Sequence, residues 1–209
     1  MNQIADHMIA TPVPLWTQRR RLVLAVGLFA LSCKPAVSVV PLPPPEPKFP
    51  ELGCTPDGRE QGEKPPNGTK IWCEHMLPSG DWSLHGTLIE WHTTGQRGLE
   101  TTYAWGVLHG HAQYWYPVGT LREAGHYEQG IQTGVWDSFH PNGLPLSSGT
   151  YIAGRQEGVW TYWDANGHRE EGAFVRDQRN GPWLSFTADD IPTKERIYRN
   201  GRLVSQRGL

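Results

Sequence analysis

The sequence predicts an all-β protein, an elongated single-layer antiparallel meander of about five β-hairpin repeats, each about 24 residues long. Three observations support this fold class. Glycines recur at a nearly constant spacing, aromatic residues follow these glycines at fixed distances, and Asn-Gly pairs lie between short segments rich in aromatic and β-branched residues. The glycines that begin the five copies are Gly86, Gly110, Gly134, Gly158 and Gly181.

Aromatic residues occupy three columns of the repeat. The column five residues after the first glycine contains Trp91, Trp115, Phe139, Trp163 and Phe186. The column two residues after it contains Trp136, Trp160 and Trp183 in the last three copies. The column seventeen residues after it contains Tyr103, Tyr127, Tyr151 and Tyr198. In the fourth copy, which is one residue shorter between Gly167 and Gly172, Phe174 takes the place of this tyrosine.

These rings are expected to stabilise the sheet by packing between neighbouring hairpins, because a lone hairpin is only marginally stable in water. The plus-two and plus-five columns lie an odd number of residues apart, so they face opposite sides of a regular strand. Some rings are then expected to form a partly exposed ladder that binds a partner. The alternative is that the rings pack only on one another and on long neighbours such as Arg155 and Arg176.

The repeated glycines are interpreted mainly as turn residues. Nine residues after the first glycine, hairpin turns are predicted at Gly95, Gly119, Gly143 and Gly167, with Asp190 departing from the pattern in the last copy. The first glycines of the copies, among them Gly110, Gly134, Gly158 and Gly181, are assigned to the turns between hairpins. Gly125, Gly149 and Gly172 have another predicted role, because a missing side chain there leaves room for a ring from the adjacent strand.

The pattern G-x-W-x-x-(aromatic)-x-x-x-G, followed by Y-x-x-G-x-x-x-G, resembles the MORN repeat in the variant found in YwqK-type antitoxin-repeat proteins. The resemblance covers about residues 86–202, with a degenerate lead-in from Cys54. It implies the hairpin-repeat fold. It implies no single activity, because such repeats occur in proteins with many roles.

Residues 1–32 are predicted to be a lipoprotein signal peptide. Arg19-Arg20-Arg21 is a basic segment, residues 22–31 form an apolar run too short to span a bilayer, and Ala30-Leu31-Ser32-Cys33 resembles a bacterial lipobox. The prediction is lipidation of Cys33 in a bacterial cell envelope, with a plain secretory signal or an unlipidated membrane anchor as alternatives. Residues 33–53 are rich in proline, which predicts an extended tether.

Residues 54–85 are predicted to be an N-terminal cap held by a disulfide bond between Cys54 and Cys73. Disulfide bonds form in the oxidising compartments that exported proteins enter. Two free thiols are the alternative, and a metal site is not expected because the two cysteines lack C-x-x-C spacing. The repeat domain is predicted over residues 86–204, followed by a fraying tail over residues 205–209.

The sequence contains no nucleophile elbow, zinc-protease helix motif, phosphate-binding loop or dinucleotide fingerprint. His109 and His111 flank Gly110, but His85 also precedes a repeat glycine, so these histidines are assigned to turns and not to a metal site. No cofactor is expected. The net charge is −2 for the whole chain and about −4 after residue 33, which argues against nucleic-acid binding.

The sequence therefore predicts a non-enzymatic envelope lipoprotein whose repeat sheet binds a protein partner and which contacts the membrane only through its N-terminal lipid. A carbohydrate- or peptidoglycan-binding module, with aromatic rings stacked on sugars, is the first alternative. An antitoxin or immunity protein is the second alternative, and it follows from the family's name alone.

Overall fold

The computed structural model describes residue 52, residue 54 and residues 57–209. All of them fall within one structural unit, Pro44–Leu209. The predicted signal peptide, the lipidation site at Cys33 and most of the predicted tether lie outside the described residues, so these three remain predictions.

Thirteen strands and their connecting turns make up the described part of the chain, which contains no helix. The strands are β1 (Gly58–Glu63), β2 (Lys70–Met76), β3 (Trp82–Trp91), β4 (Arg97–Ala104), β5 (Val107–Trp115), β6 (Leu121–Glu128), β7 (Ile131–Phe139), β8 (Pro145–Ile152), β9 (Arg155–Trp163), β10 (Arg169–Val175), β11 (Gln178–Phe186), β12 (Pro192–Arg199) and β13 (Arg202–Gly208). They form one antiparallel sheet in which each strand pairs with its neighbours in the chain. The predicted all-β meander is confirmed, with β3 to β12 forming the five hairpins.

Two kinds of turn alternate along the sheet from β3 onwards. The two-residue turns have positive φ at both residues, as type I′ turns require; they are Trp105-Gly106, Gln129-Gly130, Ala153-Gly154, Arg176-Asp177 and Asn200-Gly201. The other turns have three residues and end in a residue with positive φ; these residues are Gly95, Gly119, Gly143, Gly167 and Asp190. The predicted turn glycines of this second group are confirmed, and Asp190 adopts their conformation at φ 62°.

The first glycines of the copies do not lie in turns, which corrects the sequence interpretation. Gly110, Gly134, Gly158 and Gly181 lie inside β5, β7, β9 and β11, with φ between 67° and 106°. Near each of them the register with the preceding strand shifts, because the strand that contains the glycine has two more residues there than its partner. Extra residues on one strand need an unusual backbone conformation, as at a β-bulge, which glycine adopts at low cost. His109 and His111 are therefore strand residues.

Two predicted boundaries lie inside strands. Gly86 lies inside β3, and β1 and β2 extend the same sheet, so the region predicted as a cap over residues 54–85 contributes the first strands of the meander. At the other end, residues 205–208 belong to β13, which pairs with β12. The predicted turn at Ser79-Gly80-Asp81 does precede β3, with the amide of Leu77 donating to the carbonyl of Asp81.

Cross-strand partners define the two faces of the sheet, because paired residues share a face and adjacent residues alternate. Leu88, Thr101, Ala112 and Gly125 are successive cross-strand partners, and Trp136 packs on Gly125. We name their side the front face. Ile89, next to Leu88, points to the opposite side, which we name the back face.

The back face is buried at the N-terminal end of the sheet. Ile71 and Ile89, each 1 % exposed, pack there with Trp91, Cys73 and Leu52. Cys54 packs against this cluster and is joined to Cys73 by a disulfide bond, as predicted. Leu52 and Cys54 thus cover part of the back face of the first strands.

Candidate functional site

Three tryptophans of the plus-two column are buried on the front face. Trp136, Trp160 and Trp183 are 4, 3 and 0 % exposed. Their rings occupy the space above Gly125, Gly149 and Gly172, where an added Cβ would lie only 2.1, 2.1 and 2.4 Å from a ring carbon. The prediction that these glycines make room for a ring from the next strand is confirmed.

The indole nitrogens of the same tryptophans are satisfied by the backbone. Nε1 of Trp136, Trp160 and Trp183 donates a hydrogen bond to the carbonyl of the residue after the glycine, at 3.2, 3.2 and 3.1 Å. A buried indole N–H that lacked an acceptor would be costly. Each ring and its glycine therefore form a closed packing unit, and these tryptophans are core residues rather than a ladder open to a ligand.

The tyrosine column fills the gaps between the buried tryptophans. Tyr127, Tyr151, Phe174 and Tyr198 make edge-on contacts with Trp136, Trp160 or Trp183, with ring centroids 5.1 to 6.3 Å apart. Phe174 is buried and the three tyrosines are half-buried, as is Tyr103 in the first copy. Burial raises the pKa of Tyr151 and keeps its hydroxyl neutral.

The plus-five column lies on the back face. Trp91 is buried in the N-terminal cluster, whereas Trp115, Phe139, Trp163 and Phe186 are half-buried. Arginines cover two of these rings, with the guanidinium carbon of Arg169 3.8 Å from the centroid of Phe186 and that of Arg97 5.4 Å from Trp115. The rings do face both sides of the sheet, as predicted. The plus-two tryptophans are core residues, so only the half-buried plus-five rings on the back face are left for a partly exposed ladder, and its binding role stays a prediction.

A groove with a volume of about 590 Å³ lies on the repeat sheet. It lies on the front face at the ends of β9, β10, β11 and β12, beside the turns over residues 164–168 and 187–191. Its lining includes Tyr162, Asp164, His168, Glu170, Ser185 and Arg196, together with Trp163 and Phe186. Tyr162, Glu170 and Ser185 are cross-strand partners, so they share one face.

The floor of the groove continues the aromatic core. The ring of Tyr162 stacks between Trp160 and Trp183, with centroids 5.9 and 6.2 Å apart. Its hydroxyl accepts a hydrogen bond from the amide of Gln156 at 2.8 Å. Burial raises the pKa of Tyr162, so the hydroxyl stays protonated at neutral pH. The floor is therefore rigid, half-buried and uncharged.

One wall of the groove is an ionic cluster of Glu170 with two arginines. Arg179 donates to both carboxylate oxygens of Glu170, at 3.2 and 3.1 Å, and its guanidinium stacks on Trp183 at 4.0 Å. Arg196 donates to Glu170 through Nη1 at 2.6 Å. Burial opposes the charged form of Arg179, but Glu170 reverses this effect and raises its pKa. Two positive charges share one carboxylate, so the cluster carries a net charge of about +1.

The opposite rim of the groove carries a carboxylate. Nδ1 of His168 donates to Asp164 at 2.9 Å, and backbone amides of the same turn also donate to Asp164. The hydrogen bond from His168 lowers the pKa of Asp164. Arg169 also lines the groove, but it pairs with Asp190 at 2.9 Å and with Glu171 at 3.6 Å. The groove therefore has a carboxylate at the Asp164 rim and an excess positive charge at the Arg196 wall.

The groove lies beside a one-residue deletion in the repeat. In the other four copies an extra residue bulges just after the three-residue turn: Gly98, Arg122, Leu146 and Thr193. The fourth copy is one residue shorter there, and β10 pairs with β9 in continuous register from Arg169 to Phe174. The β9–β10 edge of the groove therefore differs from the equivalent place in the other copies.

Sequence reasoning missed the residues of this wall. Glu170, Ser185 and Arg196 belong to no sequence motif. One signal points to the wall: the sequence has Arg196 where earlier copies have Gly125 and Gly149. No tryptophan follows in β13 to need that space, so a long side chain fits.

The described residues contain no group of three or more His, Cys, Asp or Glu side chains arranged to hold a metal ion. Among the residues that the structure describes, no helix is long and apolar enough to span a membrane. No protein-family model matches the chain. No curated protein matches it either.

Proposed function

We propose that the sheet is a MORN-like repeat domain of the YwqK type. The support is the 24-residue period, which coincides with one hairpin per copy, and the ring-on-glycine packing at Gly125, Gly149 and Gly172. Each unit buries its ring only against the next unit, which is the nearest-neighbour stabilisation typical of repeat proteins.

We also propose that the chain is a lipoprotein of a bacterial cell envelope, anchored through Cys33. The Cys54–Cys73 disulfide supports an oxidising compartment. Mass spectrometry of the protein expressed in a bacterium tests the anchor. We expect diacylglycerol on Cys33, and we expect Cys33→Ala to leave the membrane fraction. An unmodified Cys33 in a cleaved or uncleaved chain would contradict the anchor.

We infer that the domain is a non-enzymatic protein-binding module and that the groove is its binding site. The observation that carries this inference is the composition of the groove, where a preorganised tyrosine floor meets an arginine wall. Tyrosine and arginine are enriched at binding hot spots because they combine contact area with directional hydrogen bonds. A peptide segment entering the groove would contact both.

The repeat itself supplies the test of the groove. Ser185 is the fifth-copy equivalent of Tyr114 and Tyr162, so Ser185→Tyr introduces a side chain that this position accepts in other copies. The variant fills the groove. Ser138→Tyr makes the same change in the third copy, outside the groove, and is the matched control.

We expect the full chain in detergent to capture an envelope protein from extracts of its host, Ser185→Tyr to lose this partner, and Ser138→Tyr to keep it. Equal capture by all three proteins would contradict the groove as the site. Retention on peptidoglycan that Ser185→Tyr abolishes would instead identify the carbohydrate-binding alternative. A captured partner that is toxic when expressed alone would identify the immunity alternative.

A further inference from the structure

The arginine wall of the groove has hydrogen-bond donors that the protein does not use. Arg196 donates only through Nη1, to Glu170 at 2.6 Å and to the hydroxyl of Ser185 at 3.4 Å. Within the described part of the chain, its Nε and Nη2 groups donate to no protein acceptor. A guanidinium has five N–H donors in a planar fork, and two parallel N–H groups match a carboxylate.

Arg196 is also held in place before any ligand arrives. Its bond to Glu170 fixes one edge of the guanidinium, and Glu170 is itself fixed by two bonds from Arg179. The side chains of Arg196, Arg179 and Glu170 are 26, 30 and 23 % exposed, so water screens the cluster only in part. An ordered donor in a half-buried site binds an anion at a lower entropic cost than a flexible surface arginine.

The charge of the groove sets the orientation of an anionic ligand. Arg179 balances Glu170, which leaves the charge of Arg196 uncompensated within the cluster. Asp164 at the other rim repels anions, so a carboxylate settles at the Arg196 wall and not across the groove. The stacked ring of Tyr162 lies between these two rims and gives an apolar contact to the rest of the ligand.

We propose that the groove binds an extended peptide segment with an acidic side chain, whose carboxylate pairs with the free fork of Arg196. The inference rests on the proposed protein-binding function and names the chemistry of its partner. The positive wall and the tyrosine floor together favour an acidic residue next to an aromatic or apolar one.

Two short probes test the proposal directly. Acetyl-Glu-Tyr-Glu-amide carries the carboxylates, and acetyl-Gln-Tyr-Gln-amide has the same shape without charge. We expect the full chain in detergent to bind the acidic probe about tenfold more tightly, because hydrogen bonds to a charged group are stronger than neutral ones. The preference should weaken with added salt.

Two arginine variants assign the preference to a residue. Arg196→Gln should abolish it, whereas Arg199→Gln, an exposed arginine three residues along β12, should retain it. Arg196→Lys keeps the charge without the fork, so part of the preference should remain. If circular dichroism shows that Arg196→Gln is unfolded, the NMR resonance of the Arg196 Nε–H group in the wild type tests the proposal instead. This resonance must shift when the acidic probe is added and stay unchanged with the neutral probe.

Three results would overturn the proposal: equal affinity for both probes, a preference that survives in folded Arg196→Gln, or an unmoved Arg196 resonance. Binding of oligogalacturonate in place of the acidic probe would also overturn it, since the carboxylate would then belong to a sugar. The groove-filling variant Ser185→Tyr separates this outcome from failure of the proposed function. If partner capture depends on the groove without any carboxylate preference, only the present inference fails.

Discussion

The two ends of the sheet bury opposite faces by different means. At the N-terminal end the back face is covered by Leu52 and the Cys54–Cys73 disulfide, which pack with Ile71, Ile89 and Trp91. At the C-terminal end the front face covers itself, because the rings of Trp160 and Trp183 lie over the glycines of the strands before them and Phe174 packs edge-on between these rings. A single-layer sheet thus forms a core at each end without a second layer.

The boundary between the first and second copies shows why the two ends differ. At the position of the glycine the first copy has Thr101, and at the position of the tryptophan the second copy has Ala112; they are 2 and 1 % exposed. A larger side chain replaces glycine and a smaller one replaces tryptophan, so the pair fills similar space without a ring. The first copies therefore lack the rings that bury the front face, and their largest aliphatic core lies on the back face instead.

The largest expected effect comes from breaking the ring-on-glycine unit. Trp136→Ala should lower the free energy of unfolding by about 3–5 kcal/mol, because it removes a buried ring and leaves a cavity. Gly125→Thr alone should also be strongly destabilising, since its Cβ would overlap the ring of Trp136. The double variant recreates the Thr101–Ala112 pair and should lose less stability than the two single losses added together.

Urea unfolding of the four proteins in this cycle measures the coupling. Trp82→Ala is the control, because Trp82 is 36 % exposed and packs mainly under Arg59. If the two single losses add strictly in the double variant, the Thr101–Ala112 pair does not replace the packing of a tryptophan on a glycine.

The next largest effect concerns the disulfide at the other end. Replacing Cys54 and Cys73 with serine should destabilise β2 and β3 by about 3 kcal/mol, because it frees the loop that the bond closes. Hydrogen exchange should quicken in β2 and β3 and stay unchanged in β9 to β11, since coupling in a repeat array passes mainly between neighbours. Equal acceleration in both regions would contradict two separate cores.

A smaller effect is expected from one methyl group on a glycine. Gly149→Ala should cost about 1–3 kcal/mol, because the new Cβ meets the ring of Trp160 and the core resists overpacking. Gly208→Ala is the matched control, because the nearest atom lies 4.0 Å from its Cβ position. Thermal unfolding compares the two variants. Similar melting temperatures would mean that the ring moves aside freely.

The smallest effect should appear at the rim of the groove. The pKa of Asp164 is lower in the folded state, so this carboxylate adds stability above its unfolded pKa and loses that contribution as the pH falls through its folded pKa. Between about pH 5 and pH 2, the wild type should lose slightly more stability than Asp164→Asn, by an amount that screening keeps small. Asp57→Asn is the control, and identical pH profiles for Asp164→Asn and the wild type would contradict the prediction.

Most of the fold follows from the repeat period. The number of hairpins, the glycine turns between their strands and the room above Gly149 for a ring of the next copy all follow from the spacing of glycines and aromatics. The sequence does not distinguish a glycine at a bulge from a glycine in a turn, because both sites need positive φ. Only the pairing register of the strands separates bulge from turn. The burial of Trp136 was not predictable from alternation, which gives the face of a ring but not what covers it.

The groove could not be predicted from the sequence. Its wall brings together Glu170 and Arg196, 26 residues apart, across three neighbouring strands. A long side chain fits at Arg196 because no ring follows it, and Glu170 lies on the same face because its partner Ser185 pairs with Lys194, two residues before Arg196. The first fact is visible in the alignment of the copies, but the second depends on the register of the strands between them.

The shortened fourth copy also bears on how such a chain tolerates changes in length. Loss of one residue inside a strand normally turns every later side chain to the wrong side of the sheet. Here the missing residue is the one that bulges in the other copies, so Gly172 and Phe174 keep their places beside Trp160 and Trp183. Single-residue deletions should therefore be accepted at Gly98, Arg122, Leu146 and Thr193 and rejected a few positions away, which makes these four sites the natural points of insertion and deletion as repeats diverge.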